Sequence, residues 1–123
     1  MDLVANIEYI FSLFTDENAY DKIPSDFDFK HNKYAIEIKI GSSITDLDTV
    51  NEVPLQIRIV GLDINKLDIL NKAKDIDLMI NNKQFNNNNW IIRSNPYINT
   101  YDDEDKYNVV LIYYINNYKE RND

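Results

Sequence analysis

Apolar residues recur at helical spacing at the start of the chain. Leu3, Val4, Ile7, Ile10, Phe11 and Phe14 fall on one broad face. The pattern predicts a helix from Asp2 to Phe14, with Asp2 capping its start and Asp2 and Glu8 in the half where the helix dipole favours acids. Asp16 to Lys33 is polar, is broken by Pro24 and carries Phe27 and Phe29, so it reads as a connection with a short strand near Phe27. From Lys33 to Ile40 the period changes to two: Tyr34, Ile36, Ile38 and Ile40 alternate with Ala35, Glu37 and Lys39, as in a half-exposed strand. Gly41 to Glu52, rich in Ser, Thr and Asp, is predicted to be a loop of the kind that often carries function. Alternation returns from Val53 to Val60, where Val53, Leu55, Ile57 and Ile59 oppose Pro54, Gln56 and Arg58. Pro54 suits a strand end or an edge.

Gly61 is predicted to break that strand and Asp63 to cap a second helix, from Ile64 to Asn81 or Asn82. Its apolar positions are Ile64, Leu67, Leu70, Ala73, Ile76, Met79 and Ile80; Lys66, Asp68, Lys72, Lys74, Asp75 and Asp77 give a solvated face of mixed sign. Asn81 and Asn82 are stops, because Asn tolerates the left-handed conformation. Lys83 to Asn89 reads as a loop. A third strand, Trp90-Ile91-Ile92-Arg93, runs into Asn95-Pro96-Tyr97-Ile98, and a fourth runs from Tyr107 to Tyr118, with Asp102, Asp103, Glu104 and Asp105 as an acidic loop between them. The last strand has Val109, Leu111, Tyr113 and Ile115 on one side and Val110, Ile112 and Tyr114 on the other. A strand apolar on both sides is usually covered on both faces. A chain this short has little material for two covers, so the second is expected from another copy or another protein. The order α-β-β-α-β-β predicts an α+β fold: a four-stranded, mostly antiparallel sheet with two helices packed on one face, in a single domain over residues 1–123.

Composition narrows the function classes. The 123 residues suffice for one core, and a hydrophobic fraction of 44% with nine Tyr, five Phe and one Trp belongs to a folded chain. There is no cysteine, which removes disulfides, thiolate metal sites and cysteine nucleophiles. The two glycines, Gly41 and Gly61, are too far apart for a glycine-rich phosphate loop. No basic segment precedes an apolar run, and no apolar run nears the ~20 residues of a membrane span, so the expected compartment is the cytoplasm, without membrane contact. The net charge of −8 opposes direct nucleic-acid binding, which rests on phosphate contacts. It is compatible with DNA mimicry, with a surface past which DNA slides, or simply with a soluble acidic protein. The run Asn86 to Asn89 and the abundance of Asn, Ile and Lys fit an AT-rich coding sequence.

No constellation reads as catalytic. His31, the only histidine, would have to anchor any Ser-His-Asp arrangement, and it sits in the polar Lys30-His31-Asn32-Lys33 before a strand, as an exposed loop histidine does. Asp102, Asp103, Glu104 and Asp105 lack the alternating oxygen ligands and turn glycine of a calcium loop. Asp26 with Asp28, and Asp46 with Asp48, are spaced as pairs that an aspartate-rich chain produces by chance. Trp90, Tyr97, Tyr101, Tyr107, Tyr113, Tyr114 and Tyr118 lack the basic groove of a nucleic-acid stacking platform; packing and protein contact are the readings left. Neither a cofactor nor a metal is expected.

The N-terminal helix leads to Ile23-Pro24, then the paired strands, one long helix, Trp90-Ile91-Ile92-Arg93, an acidic break and a closing strand around Val109 to Tyr114. This whole-chain order resembles the tail terminator (tail completion, head-tail joining) proteins of long-tailed bacteriophages and related phage-derived particles. The resemblance is one of element order and size. It implies a structural protein rather than an enzyme: a homo-oligomeric ring, usually a hexamer, that caps the tail tube, ends its polymerisation and joins it to the head connector. The implied partners are itself, the tail tube protein and the connector protein, with DNA passing through the lumen without specific binding. The implied location is the virion tail, with assembly in the host cytoplasm. On this reading the interface residues are Asp46, Asp48, Trp90, Tyr97, Asp102, Asp103, Glu104, Asp105, Tyr113 and Tyr118. The competing expectation is a small acidic inhibitor or DNA mimic that binds a nucleic-acid-processing enzyme.

Overall fold

A computed structural model describes residues 3–15, 17–41, 45–46, 50–85, 89–94 and 99–118. Its elements are α1 (Leu3–Ser12), β1 (Ala19–Tyr20), β2 (Ala35–Ile40), β3 (Thr45–Asp46), β4 (Val50–Leu62), a 3-10 turn (Asp63–Asn65), α2 (Lys66–Ile80), β5 (Lys83–Phe85), β6 (Asn89–Arg93), β7 (Asn99–Asp103) and β8 (Lys106–Tyr118). The strands form one sheet in the order β1-β2-β4-β8-β6-β5, with β3 added to β4 and β7 added to β8. The β1–β2 pair is parallel and every other pair antiparallel, and the sheet curls into a half-barrel with the two helices. This corrects the four-stranded sheet that the pattern predicts.

The extra strands are short and polar, so they leave no hydrophobic period to read. β1 and β3 have two residues each, and all five residues of β7 are exposed. Backbone pairing to a neighbouring strand holds them, with Ala19 of β1 also packing against the core. The expected strand near Phe27 is instead β1. The expected loop from Gly41 to Glu52 contains β3, paired with Asn51 and Glu52, and the first three residues of β4; residues 42–44 and 47–49 lie outside the described residues. The expected loop from Lys83 to Asn89 contains β5 and the start of β6.

β4 and β8 make the centre. Every residue from Val50 to Leu62 is paired with one from Tyr118 to Lys106. Both strands are rich in β-branched and aromatic residues. Val53, Leu55, Ile57 and Ile59 of β4, with Tyr107, Val109, Leu111, Tyr113 and Ile115 of β8, are buried on one face. Register brings Ile36, Ile38 and Ile91 onto the same face. Ile10 and Phe14, at the α1 end, and Ile69, Ala73, Ile76 and Ile80 of α2 complete one core against it.

Pro54 occupies a central strand without breaking it. Its carbonyl accepts from Gly41 N at 3.0 Å, so its missing N–H also faces the gap between β2 and β3, and the ladder to β8 is intact. Gly61 continues β4 instead of ending it. A Cβ there would lie 2.1 Å from the Lys33 carbonyl oxygen and 3.0 Å from Ile69 Cδ1, so the close approach of two segments selects glycine.

α2 is rotated from its expected phase. Its buried stripe is Ile69, Ala73, Ile76 and Ile80, whereas Ile64 is 90% and Leu67 74% exposed. Ile64 belongs to the 3-10 turn, whose tighter winding shifts the helical period that follows. Asp63 forms no side-chain cap; its backbone N–H donates to the Asp105 carbonyl at 2.9 Å. The helix ends as expected, with Asn82 at φ 63° and its N–H donating to Ile91 O at 2.7 Å.

Gly61→Ala is expected to lower stability by about 1–3 kcal/mol, because the new methyl meets backbone rather than a movable side chain. A urea midpoint equal to that of the wild type would contradict this account of Gly61.

Candidate functional site

The face of the sheet opposite the helices is where this chain departs from a closed two-layer fold. Alternation puts Glu52, Pro54, Gln56, Arg58 and Val60 of β4 on it. β8 contributes Asn108, Val110, Ile112, Tyr114 and Asn116, and β6 contributes Trp90 and Ile92. One end of this face is covered by the chain itself. Ala35 and Val60 are buried there, the Ile23 N–H donates to Glu37, and Lys106 Nζ lies 5.3 Å from the centre of the Phe29 ring. Phe27, Phe29 and Leu62 share one open hollow with Lys106. The segment after β1 is therefore a partial second cover. At the other end Trp90, Ile112, Tyr114 and Pro54 are half-buried and Ile92 is 36% exposed.

A polar network marks the boundary between the covered and open parts. Arg58 donates Nη1 to Asn108 Oδ1 at 2.9 Å and Nη2 to Glu37 Oε2 at 3.3 Å, and Lys39 Nζ stands 3.6 Å from Glu37 Oε1. Glu37 and Asn108 are both buried. Burial alone would raise the Glu37 pKa. The Arg58 hydrogen bond and charge, Lys39 and the Ile23 N–H outweigh it and hold the carboxyl below its ordinary value. Sequence reading placed Glu37 and Arg58 on the polar side of their strands; their opposite charges at paired positions were the available signal.

The acidic residues form the exposed end of a hairpin, not a loop. Asp102 and Asp103 end β7, and Glu104 and Asp105 make the two-residue turn into Lys106. All four are exposed, and Glu104 takes φ 57°. Asp105 anchors the tip twice, through its carbonyl to Asp63 N and through Oδ1 to Lys106 Nζ at 3.4 Å.

The expected interface residues do not form one patch. Trp90 pairs with Asn116 and Asp103 with Lys106, ten positions apart on β8 (116 − 106), a separation of up to about 34 Å along the strand. Asp46 lies in β3 beyond the other edge of β4, and Tyr118 ends β8 opposite Val50. Asp48 and Tyr97 lie outside the described residues. Tyr113 faces the core and is fully buried: its hydroxyl donates to Asp77 Oδ1 at 2.6 Å, and Arg93 Nη1 donates to Asp77 Oδ2 at 3.3 Å. Burial, then the Asp77 carboxylate, pushes the Tyr113 pKa up and keeps it a neutral donor. The pair ties α2 to β8 and β6.

Elsewhere the chemistry is sparse. His31 Nδ1 lies 2.5 Å from Asp28 Oδ2 on the exposed surface, and this contact holds the Asp28 carboxyl below its usual value. Neighbouring residues are Glu17, Asn18, Asn32, Lys33 and Tyr34, with no hydroxyl nucleophile of serine type among them. A groove of about 370 Å³ between α1 and β2 is lined by Ile7, Phe11, Ile38 and Ile40 with Asp21 and Lys39. Among the described residues, no group of three His, Cys, Asp or Glu converges as a cation site, and no helix is long and apolar enough to cross a membrane. Comparison with protein-family models, curated proteins and solved structures finds no match.

Glu37→Gln is expected to flatten the acid side of the stability profile. A carboxylate with a lowered folded pKa stabilises fully above its unfolded pKa of about 4.3, and that share is lost as pH falls through the folded value. The gap between wild type and variant in urea midpoint should therefore shrink from about pH 6 to about pH 3; a constant gap would count against the Glu37 network. Asp77→Ala is expected to cost about 1–3 kcal/mol, because it strands the buried Tyr113 hydroxyl, and Tyr113→Phe about 1 kcal/mol. Equal losses in the two variants would show that the hydroxyl is not the group at stake.

Proposed function

We propose that this chain is a structural subunit of a phage or phage-like tail. Copies close into a ring, a hexamer, that caps the tail tube, ends its polymerisation and joins it to the head connector. The observation that carries the reading is the open end of the outer sheet face. Trp90, Ile92, Ile112, Tyr114 and Pro54 form an apolar area across β4, β8 and β6 that, among the described residues, the chain's own second cover leaves half-exposed. A half-covered sheet is stabilised by a neighbour, and a chain that meets copies of itself through two different patches closes into a ring when the rotation permits.

The acidic hairpin fits the same reading. Asp102, Asp103, Glu104 and Asp105 at an exposed turn, in a chain of net charge −8, repel phosphate and suit a lumen or rim that DNA passes without adhering. Such a protein acts in the host cytoplasm during assembly and ends in the virion tail. The inhibitor or DNA-mimic alternative has less support, because outside the cluster at residues 102–105 the exposed acids, Glu8, Asp21, Asp26, Asp28, Asp63 and Asp75, are scattered among lysines instead of running in a row spaced like phosphates.

Size-exclusion chromatography with light scattering tests the ring. A hexamer-sized species is expected, alone or with the tail tube protein of the same genome. A strict monomer at high concentration with tube protein present would overturn the proposal.

A further inference from the structure

We infer that neighbouring copies join by seating the outward ridge of α2 on the open end of the next copy's outer sheet face; the inference rests on the ring reading above. The ridge lies opposite the helix's buried stripe. Leu67 and Leu78 are each 74% exposed, and Ile64, just before the helix, is 90% exposed. At about 100° per residue, Leu67 and Leu78 differ by only about 20° and stand directly opposite Ile69, Ala73, Ile76 and Ile80. One exposed leucine is ordinary, but two leucines on one helix pole, flanking the exposed Asn71 and Lys74, with Ile64 exposed in the 3-10 turn just before, offer a contact surface.

The opposite side of the molecule offers the matching surface. α2 covers the inner sheet face, and the open apolar rows lie on the outer face, so the two surfaces point away from each other. That is the geometry of a head-to-tail contact. Their sizes agree. Leu67 to Leu78 spans eleven residues of helix, about 16 Å. The open rows run from Glu52, Asn116 and Trp90 to Gln56 and Ile112, four residues of strand or about 14 Å. Helix on sheet is also how this chain covers its other face.

Charge agrees as well. Lys74 stands exposed between the two leucines, and Glu52 lies in the first open row; neither has an ion pair or hydrogen bond among the described residues. Antiparallel pairing of α2 with α2 of a second copy would also bring Leu67 near Leu78. It uses one patch twice, stops at a dimer and leaves the sheet face open.

Leu67→Glu and Ile92→Glu test the contact, since both side chains are exposed and circular dichroism should show the fold retained. Each variant alone should convert the ring to monomer. Mixed, they should give a one-to-one dimer and nothing larger in sedimentation velocity, because one sound ridge meets one sound sheet face. A wild-type chain that stays monomeric at high concentration with tube protein present removes the ring reading and this inference together. A wild-type ring that survives both substitutions removes this inference alone. Dissociation by Leu67→Glu but not by Ile92→Glu, or a mixture that stays monomeric, also overturns it and points to the paired-helix dimer or another occupant.

Discussion

The β4–β8 pair is the interaction on which the rest of the structure depends. Thirteen consecutive residues of each strand are in register, and a one-residue slip would turn every inner-face side chain outward. This ladder fixes which residues enter the core, gives α1 and α2 a common surface and places the shorter strands along its two edges. It also creates an unmet requirement. β8 is apolar on both faces, so the sheet needs two covers. The helices supply one, and among the described residues the segment after β1 supplies only part of the other.

The outer face can be understood as a consequence. Where the chain covers itself, Glu37, Arg58 and Asn108 close a hydrogen-bonded network that keeps a buried carboxylate charged. Buried charges persist where they are paired and hydrogen-bonded, and this one has a guanidinium, an ammonium and a backbone N–H around it. Where the cover ends, the side chains become aromatic and aliphatic. The change from a satisfied polar network to an open apolar area occurs within one strand pair, and it separates the part of the face that belongs to the subunit from the part available to a neighbour.

Much of this was legible in the sequence, for a physical reason. β2, β4, β6, β8 and both helices bury side chains at a regular period, and the period shows in the chain. The alternation of Val53, Leu55, Ile57 and Ile59 gave β4, and the surplus apolar face of β8 was visible as Val110, Ile112 and Tyr114. β1, β3, β5 and β7 were not legible, because short polar strands are held by backbone hydrogen bonds that leave no mark on side-chain pattern. The α2 phase was misread at Ile64 and Leu67: an exposed apolar residue looks the same in sequence as one facing the core, and the 3-10 turn at Asp63–Asn65 shifts the period. Tyr113 was misplaced in the opposite sense, as a contact residue when its hydroxyl is committed to Asp77 in the interior. The two halves of the expected interface, Trp90 and the acidic tip, were adjacent in sequence yet lie toward opposite ends of β8, a distance that only the pairing register reveals.

The proposed role is that of a subunit in an assembly that DNA traverses, argued from the half-exposed outer sheet face, the exposed leucines of α2 and the acidic turn. Electron microscopy of the tail tube protein, polymerised with and without this chain, addresses that claim most directly. The account predicts that tubes grown with the chain stop growing and carry a ring of extra density at one end. Tubes of unchanged length with bare ends, at a molar excess of the chain over tube ends, would contradict it.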